Sequence, residues 1–312
     1  MKRIAFVYVL AISLLFISCK TQTTPEVQKE VEIAAAITNY SYSTEALLKN
    51  IKTLSSDAFE GRRTGTEGAK KAKAYIIDAF AKEGVLSLNK DFEQHFIFGN
   101  YNATNILGLI KGTKDNRKYI VLSAHYDHEG IKNGKIYNGA DDDASGVSAL
   151  FAFAEYFKSN PPKHNVILAA FDGEELGLKG AYHFVKDNTI QQRNIVLNLN
   201  MDMISRSNKN ELFAVGSRYY SQLKPTIENF KDLGKVDLLI GHEGLGDGDD
   251  WTNSSDHAAF HKADIPFIYF GVADHEDYHK PTDDFERIDN QFYQDAVETI
   301  IQIFTKFDTL EL

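Results

Sequence analysis

The chain has 312 residues, of which 43% are hydrophobic and 12% aromatic, so it can bury a sizeable core and is not a disordered chain. Its formal net charge of -10 excludes nucleic acid as a natural partner, because phosphate binding needs a basic face. The single cysteine, Cys19, excludes intrachain disulfides, a cysteine nucleophile in the domain and a thiolate metal site. Any metal must be held by histidines and carboxylates.

Lys2 and Arg3 precede an apolar run, Ile4 to Ile17, of signal-peptide length and shorter than the ~20 residues that a membrane span needs. Phe16-Ile17-Ser18-Cys19 follows and resembles the cleavage box of bacterial lipoproteins, with Phe16 where Leu is usual. The expectation is a lipoprotein signal peptide over residues 1–18 and lipid on Cys19. That lipid would tie the protein to a membrane of the bacterial cell envelope, facing the periplasm. The plain alternative is an ordinary signal peptide with an incidental cysteine. Residues 19–40 are polar and read as a tether. Residues 41–312 show no internal repeat and no linker, and read as one domain.

Thr44 to Leu54 reads as a short amphipathic helix, and Ser56 to Gly68 as a charged, Gly-rich loop. From Thr66 to Glu83, apolar residues recur at spacings of three and four, which predicts a long helix stopped by Gly84. Strands are expected over Phe92–Phe98, Thr104–Ile110 and Tyr119–Ala124, followed by a helix over Ala144–Lys158. Asn165–Phe171 is an apolar run with polar punctuation at both ends, which reads as a buried strand. A helix over Glu175–Asp187 and a strand over Asn194–Asn200 come next. The remainder reads as a strand at Leu212–Val215, a helix near Tyr219–Phe230 and a strand at Lys235–Ile240. A loop from His242 to Ser255, a short helix at Asp256–His261, a strand at Ile265–Phe270 and a closing helix at Ile288–Phe307 complete the chain. This alternation predicts a three-layer α/β/α sandwich around a central, largely parallel mixed sheet.

Polar clusters stand where apolar strands end. His125 and Asp127 close the first, with Asp141, Asp142 and Asp143 at the end of the Gly-rich stretch behind them. Asp172-Gly173-Glu174-Glu175 follows NVILAAF, Asp202 follows NIVLNLN, and Tyr278-His279 to Asp283 follows IPFIYF and its loop. Ligands of open parallel sheets bind outside the carboxyl ends of the strands, so the four clusters would converge on one rim. Imidazole and carboxylate donors without thiolates suit a catalytic zinc or a pair of such ions. In a His-x-Asp unit the second carboxylate can fix the tautomer of the first ligand from behind. Taken singly, each cluster has an ordinary reading as a polar loop, a helix N-terminal turn or a cap. Those readings would have to hold independently at four strand ends.

The strings HYD, NGADDDASG, DGEELGLKGA, NLNMDMI, SDHAAF and YHKPTDD resemble the co-catalytic zinc aminopeptidase family. Its relatives include bacterial leucyl aminopeptidases, glutamate carboxypeptidases and glutaminyl cyclases. The resemblance runs in order from about Leu54 to the closing helix. It implies a zinc-dependent exopeptidase, in the first place an aminopeptidase acting on peptides, with two zinc ions per chain. By the same resemblance, His125, Asp142 and Asp202 would hold one ion, and Asp142, Glu175 and His279 the other. Glu174 would be the general base, Asp127 the partner behind His125, Asp283 a supporting residue and Tyr278 an oxyanion stabiliser. The Asp142-Asp143 peptide would be cis.

Two alternatives stand beside this. A glutaminyl cyclase-like acyltransferase with one zinc shares the DGEE string, but the full GADDDASG and NMDM strings favour two metals. A non-catalytic, peptide-binding lipoprotein would keep the scaffold without the activity. Trp251, the only tryptophan, would either line the substrate pocket or pack in a surface loop.

Overall fold

The computed structural model describes residues 37–312 apart from 38, 115, 188 and 246–248. The signal peptide, Cys19 and most of the tether expected from the sequence lie outside the described residues. By Tyr40 the chain is already docked on the domain: its hydroxyl donates to Asp295 Oδ1 at 2.5 Å, and the amide and hydroxyl of Ser41 donate to Glu298 Oε2 at 2.9 and 2.8 Å.

Eleven strands and seven helices alternate along the described residues. The strands are β1 (Leu86–Ser87), β2 (Glu93–Phe98), β3 (Tyr101–Ile110), β4 (Tyr119–His125), β5 (Gly130–Lys132), β6 (Lys135–Tyr137), β7 (Asn165–Phe171), β8 (Ile195–Met201), β9 (Glu211–Val215), β10 (Asp237–Ile240) and β11 (Phe267–Gly271). The helices are α1 (Thr44–Leu54), α2 (Glu67–Lys82), α3 (Gly146–Ser159), α4 (Lys179–Lys186), α5 (Lys224–Glu228), α6 (His257–His261) and α7 (Asn290–Phe307). Nine strands form one sheet in the order β1-β3-β7-β4-β8-β11-β9-β10, with β2 paired to β3. The four central strands β7, β4, β8 and β11 are mutually parallel, and antiparallel pairs flank them at β3 and β9. The architecture is the expected α/β/α sandwich.

The two-residue period of the central strands explains the layers. On β4, Ile120, Leu122 and Ala124 join a cluster with Ile51 of α1, Ile76 of α2, Leu150 of α3 and Ile300 of α7. Val121 points the other way, with Ile167, Ala169 and Phe171 of β7, onto Phe184 of α4 and Phe260 of α6. Both faces of the strands are therefore covered, which is why they are dominated by apolar residues, while buried Ser123, Asn198 and Asn200 hydrogen-bond to one another. Phe304 of α7 packs edge-on against Phe153 and Phe157 with centroids 5.7 and 5.2 Å away. Truncating such a side chain to alanine costs roughly 3–5 kcal/mol.

Three local departures from the sequence reading have physical causes. Helix α4 begins at Lys179 and not at Glu175, because Gly173, Gly177 and Leu178 have φ of 76°, 100° and 57°, left-handed values that no helix propagates through. Helix α5 is confined to Lys224–Glu228, since Pro225 is tolerated only in a first turn. The stretch between Asp127 and Asn138 is not plain loop but the β5–β6 hairpin, closed by Asn133-Gly134 with φ of 53° and 75°. That is the Asn-Gly turn favoured between two short strands, a signal present in the sequence.

Because β7, β4, β8 and β11 run parallel, their carboxyl ends at Phe171, His125, Met201 and Gly271 open on one rim.

Candidate metal centre and active site

The three consecutive aspartates are all buried, in a wide turn that follows Gly139, and each carboxylate is directed differently. Asp141 accepts from the Ser205 amide and hydroxyl, both at 2.7 Å, and lies 3.0 Å from His275 Nε2. Asp143 accepts from the amides of His125, Gly146 and Met203 at 3.1, 2.9 and 3.3 Å. Asp283 accepts from the amides of Asp141 and Asp142 at 3.1 Å each. Of the three, the Asp142 carboxylate faces His125, His128 and His279. The Asp142-Asp143 peptide is cis.

Behind this turn, the buried guanidinium of Arg62 donates to the carbonyls of Leu54, Tyr126, Asn138 and Gly139 at 2.8, 2.9, 2.5 and 2.9 Å. It ties the end of α1, the segment after β4 and the entry to the aspartate turn into one unit. The sequence reading placed Arg62 in a loop and gave it no role.

All five residues read as metal ligands meet around Asp142. His125 Nε2 lies 3.2 Å from Asp142 Oδ1 and 3.5 Å from Asp202 Oδ1. His279 Nε2 lies 3.2 Å from Asp142 Oδ2 and 3.3 Å from Glu175 Oε2. Donor atoms of His125, Asp142 and Asp202 lie within 4.8 Å of one another, as do those of His128, Asp142 and Glu175. Asp142 is common to both groups. Such separations suit donors that share a divalent cation, and the nitrogen and oxygen donors fit zinc. A second observation supports the fit. Glu175 Oε1 and both ring nitrogens of His128 are buried with no hydrogen-bond partner among the described residues, and buried polar atoms are rarely left so.

The electrostatics follow the same division. Burial pushes the Asp142 carboxyl up, but the imidazoles of His128, His125 and His279 outweigh it and hold it well below the usual range. Glu175 is raised by burial and by Asp142, and is pulled down to about 2 by His128 and His279. Glu174, its sequence neighbour, is held well above the usual range by burial, with Asp202 and Asp256 adding to the effect and His125 opposing it. Adjacent glutamates in one turn are thus driven apart, one toward holding a proton and one toward full charge.

Asp127 serves His125 differently from the expectation. It is its backbone carbonyl that lies 3.0 Å from His125 Nδ1, while its carboxylate stands off at 3.7 Å. The carboxylate accepts instead from the Glu174 amide at 3.0 Å and the Thr64 hydroxyl at 3.2 Å. The chain after β4 curls back on itself here, which brings the carbonyl closer than the side chain. Tyr278 stands on the rim, stacked on His279 with centroids 4.0 Å apart.

The centre opens into a cavity of about 400 Å³ whose walls include Leu178, Met203, Trp251, Tyr269 and Val272, with Asp274 at the mouth. Trp251 is therefore part of the pocket wall, and it is fixed from behind by His242, stacked at 3.6 Å and 2°. Three site residues had no part in the sequence reading. His128 is the fourth residue of HYDH, His275 contacts Asp141, and Asp256 is the second residue of the SDHAAF string. Asp256 is fully buried, neither of its oxygens has a partner among the described residues, and burial with Asp127 and Asp202 nearby raises it to about 8. The short spacing in HYDH was the available signal for His128; nothing local marked Asp256.

A model of peptidase family M28 matches residues 105–304 of this chain. Among curated proteins, the aminopeptidase YwaD of Bacillus subtilis is 29% identical over 217 residues, covering 65% of this chain and 44% of YwaD. The chain spans less than half the length of the first curated relatives it matches. Among solved structures, the glutaminyl cyclase of Porphyromonas gingivalis superposes with a TM-score of 0.70 at 17% identity, covering 86% of this chain and 100% of the cyclase. A Zn-dependent exopeptidase from Parabacteroides distasonis gives a TM-score of 0.69 at 20% identity, covering 85% of this chain and 98% of the other. At these identities the structural likeness is one of fold.

Proposed function

The chain belongs to peptidase family M28, and from that premise we propose that it is a zinc-dependent exopeptidase, an aminopeptidase that removes N-terminal residues from peptides with two zinc ions per chain. The observation that carries this reading is the opposed environment of two neighbours. Glu175 is turned to His128 and His279, while half-buried Glu174 has its carboxyl raised by desolvation and by Asp202, against the pull of His125. When bound, a zinc pair supplies Lewis acidity and lowers the pKa of a water toward neutrality. His125, Asp142, Glu175, Asp202 and His279 hold the ions. Glu174 takes the proton of the attacking water and returns it to the leaving amine, as a carboxyl tuned upward by burial can do near neutral pH. Tyr278, on the rim, donates to the oxyanion of the tetrahedral intermediate. The carboxylates of the rim anchor the free α-amino group, and Leu178, Trp251 and Val272 suit an apolar first side chain.

The fold likeness to a glutaminyl cyclase supports a second reading, a one-zinc acyltransferase. Two groups of donors around a shared Asp142 support the two-ion hydrolase instead. We further propose that Cys19 carries lipid and holds the enzyme to the cell envelope. Among the described residues, no helix is long and apolar enough to cross a membrane. The test of the activity is a panel of N-terminal aminoacyl reporters, with and without zinc, run beside a peptide with N-terminal Gln. Zinc-dependent release, fastest for apolar residues, is expected. Pyroglutamate formation without hydrolysis replaces the proposal by the second reading.

A further inference from the structure

We propose that His128 is a further protein ligand of the metal position formed by Glu175 and His279, which makes that position the closed, tightly binding one of the pair. The inference rests on the metal-centre reading above and adds to it a residue outside the expected ligand set.

His128 is fully buried three residues beyond His125, and its ring lies against Gly139, where a side chain of any size would collide with it. Its Nδ1 lies 2.8 Å from Glu175 Oε1 and 3.6 Å from Asp142 Oδ2. Despite the short distance, Nδ1 and Oε1 do not have the alignment of a hydrogen bond, and neither atom, nor His128 Nε2, bonds to anything else among the described residues. Buried polar groups are rarely left unpaired, because each gives up its hydrogen bonds to water without replacing them. Two close, buried and unaligned donors are expected where both address a third body. With metal–donor bonds of about 2.0–2.2 Å at the tetrahedral angle, two donors on one zinc lie roughly 3.3–3.6 Å apart. That spacing is met by His128 and Asp142 at 3.6 Å and by Glu175 and His279 at 3.3 Å, while the 2.8 Å pair of His128 and Glu175 would open slightly around the ion. Glu175 is flanked on both sides: Oε1 faces His128, and Oε2 faces His279 at 3.3 Å.

The consequence is an asymmetric pair. One position has three protein residues, His125, Asp142 and Asp202; the other has four, His128, His279, Glu175 and Asp142. Zinc sites with four protein ligands are typically structural, and sites with three keep a place for substrate. The structure therefore assigns substrate chemistry to the His125–Asp202 side and retention of the centre to the His128–His279 side.

The test uses the whole protein, stripped by chelator and titrated with zinc and, separately, cobalt, for the wild type, His128→Gln and His128→Ala. Readouts are metal content after dialysis, zinc affinity of each site, the visible spectrum at one equivalent of cobalt, and Tm with and without zinc. The wild type is expected to bind two ions, one more tightly. The variants should keep the weaker site, bind at the tighter one at least about tenfold less strongly and change the first-equivalent cobalt spectrum. Without metal their Tm should match or exceed the wild type, because an unpaired buried imidazole is gone, while the zinc-induced rise in Tm shrinks. Variants with wild-type affinities and spectrum overturn the inference alone. So does a loss of folding in the stripped variants where the stripped wild type folds, which makes the role structural. A wild type that binds no ion overturns the metal-centre reading itself.

Discussion

The backbone amide of Glu174 donates to Asp127 Oδ1 at 3.0 Å, so the residue that follows His125 by two also fixes the turn that carries the proposed base. One aspartate thereby sets two parts of the site, the His125 ring through its carbonyl and the Glu174 turn through its carboxylate. Asp127→Ala removes only the second link. It is expected to lower kcat about 10- to 100-fold and to weaken zinc binding less than loss of a ligand would. Steady-state kinetics with metal analysis on the same preparation checks this. Wild-type kcat in the variant would mean that the turn holds its shape without Asp127.

Glu174 and Glu175 diverge because they lie in a turn bounded by left-handed Gly173 and Gly177, and not because they occupy successive positions of a helix. Glu174→Gln keeps the size and removes the proton carrier. It should retain full metal content and lose roughly 10²–10⁴ in kcat. Glu175→Gln should lose zinc from one position. Measured metal content and turnover of both variants decide the matter, and an exchanged pattern would show that the two roles are assigned the wrong way round.

His257 offers a pH-dependent stability that is separate from catalysis. Its ring is fully buried and stacked on Tyr269 at 4.6 Å and 9°, its Nε2 donates to the Trp251 carbonyl at 2.9 Å, and burial lowers it from 6.5 to about 3. Below pH 6.5 the unfolded chain takes up a proton that the folded chain refuses, so stability falls as pH drops from 6.5 toward 3 and is level above. Between pH 7.5 and 5.5 this one group contributes a loss of about 1.4 kcal/mol. Urea unfolding of the chelator-stripped protein at both pH values, for the wild type and His257→Gln, should show a difference of that size. Equal pH dependence in the two proteins would exclude His257 as the source.

For Cys19, detergent phase partitioning of the wild type and Cys19→Ala gives the test of lipid attachment. The wild type should enter the detergent phase and the variant the aqueous phase, because a multiply acylated cysteine holds a membrane firmly. Equal partitioning of both into water would remove the anchor.

The sequence by itself determined the layered fold and the gathering of four polar clusters on one rim; which residues of those clusters would hold metal was implied by the family resemblance. Strand periodicity is local, and parallel strands must end on one rim, so HYD, DGEE, NMDM and YHK could be assigned to one place before any contact was known. What only the tertiary structure decided were the partners of those residues. The three aspartates read alike in sequence, yet Asp141 is bound by Ser205, 64 residues on, Asp143 accepts from Met203, 60 residues on, and Asp142 is left for the imidazoles of His125, His128 and His279. The same holds for Arg62, whose guanidinium reaches carbonyls 64 to 77 residues away, and for His128, which HYDH places near the site but whose unpartnered neighbour, Glu175 Oε1, only the packing reveals. Side-chain periodicity reports which face a residue occupies; it carries no information about which distant backbone group satisfies a buried charge. That is set by loop closure and packing across the rim, where hydrogen bonds to distant partners decide which carboxylate remains to bind a cation.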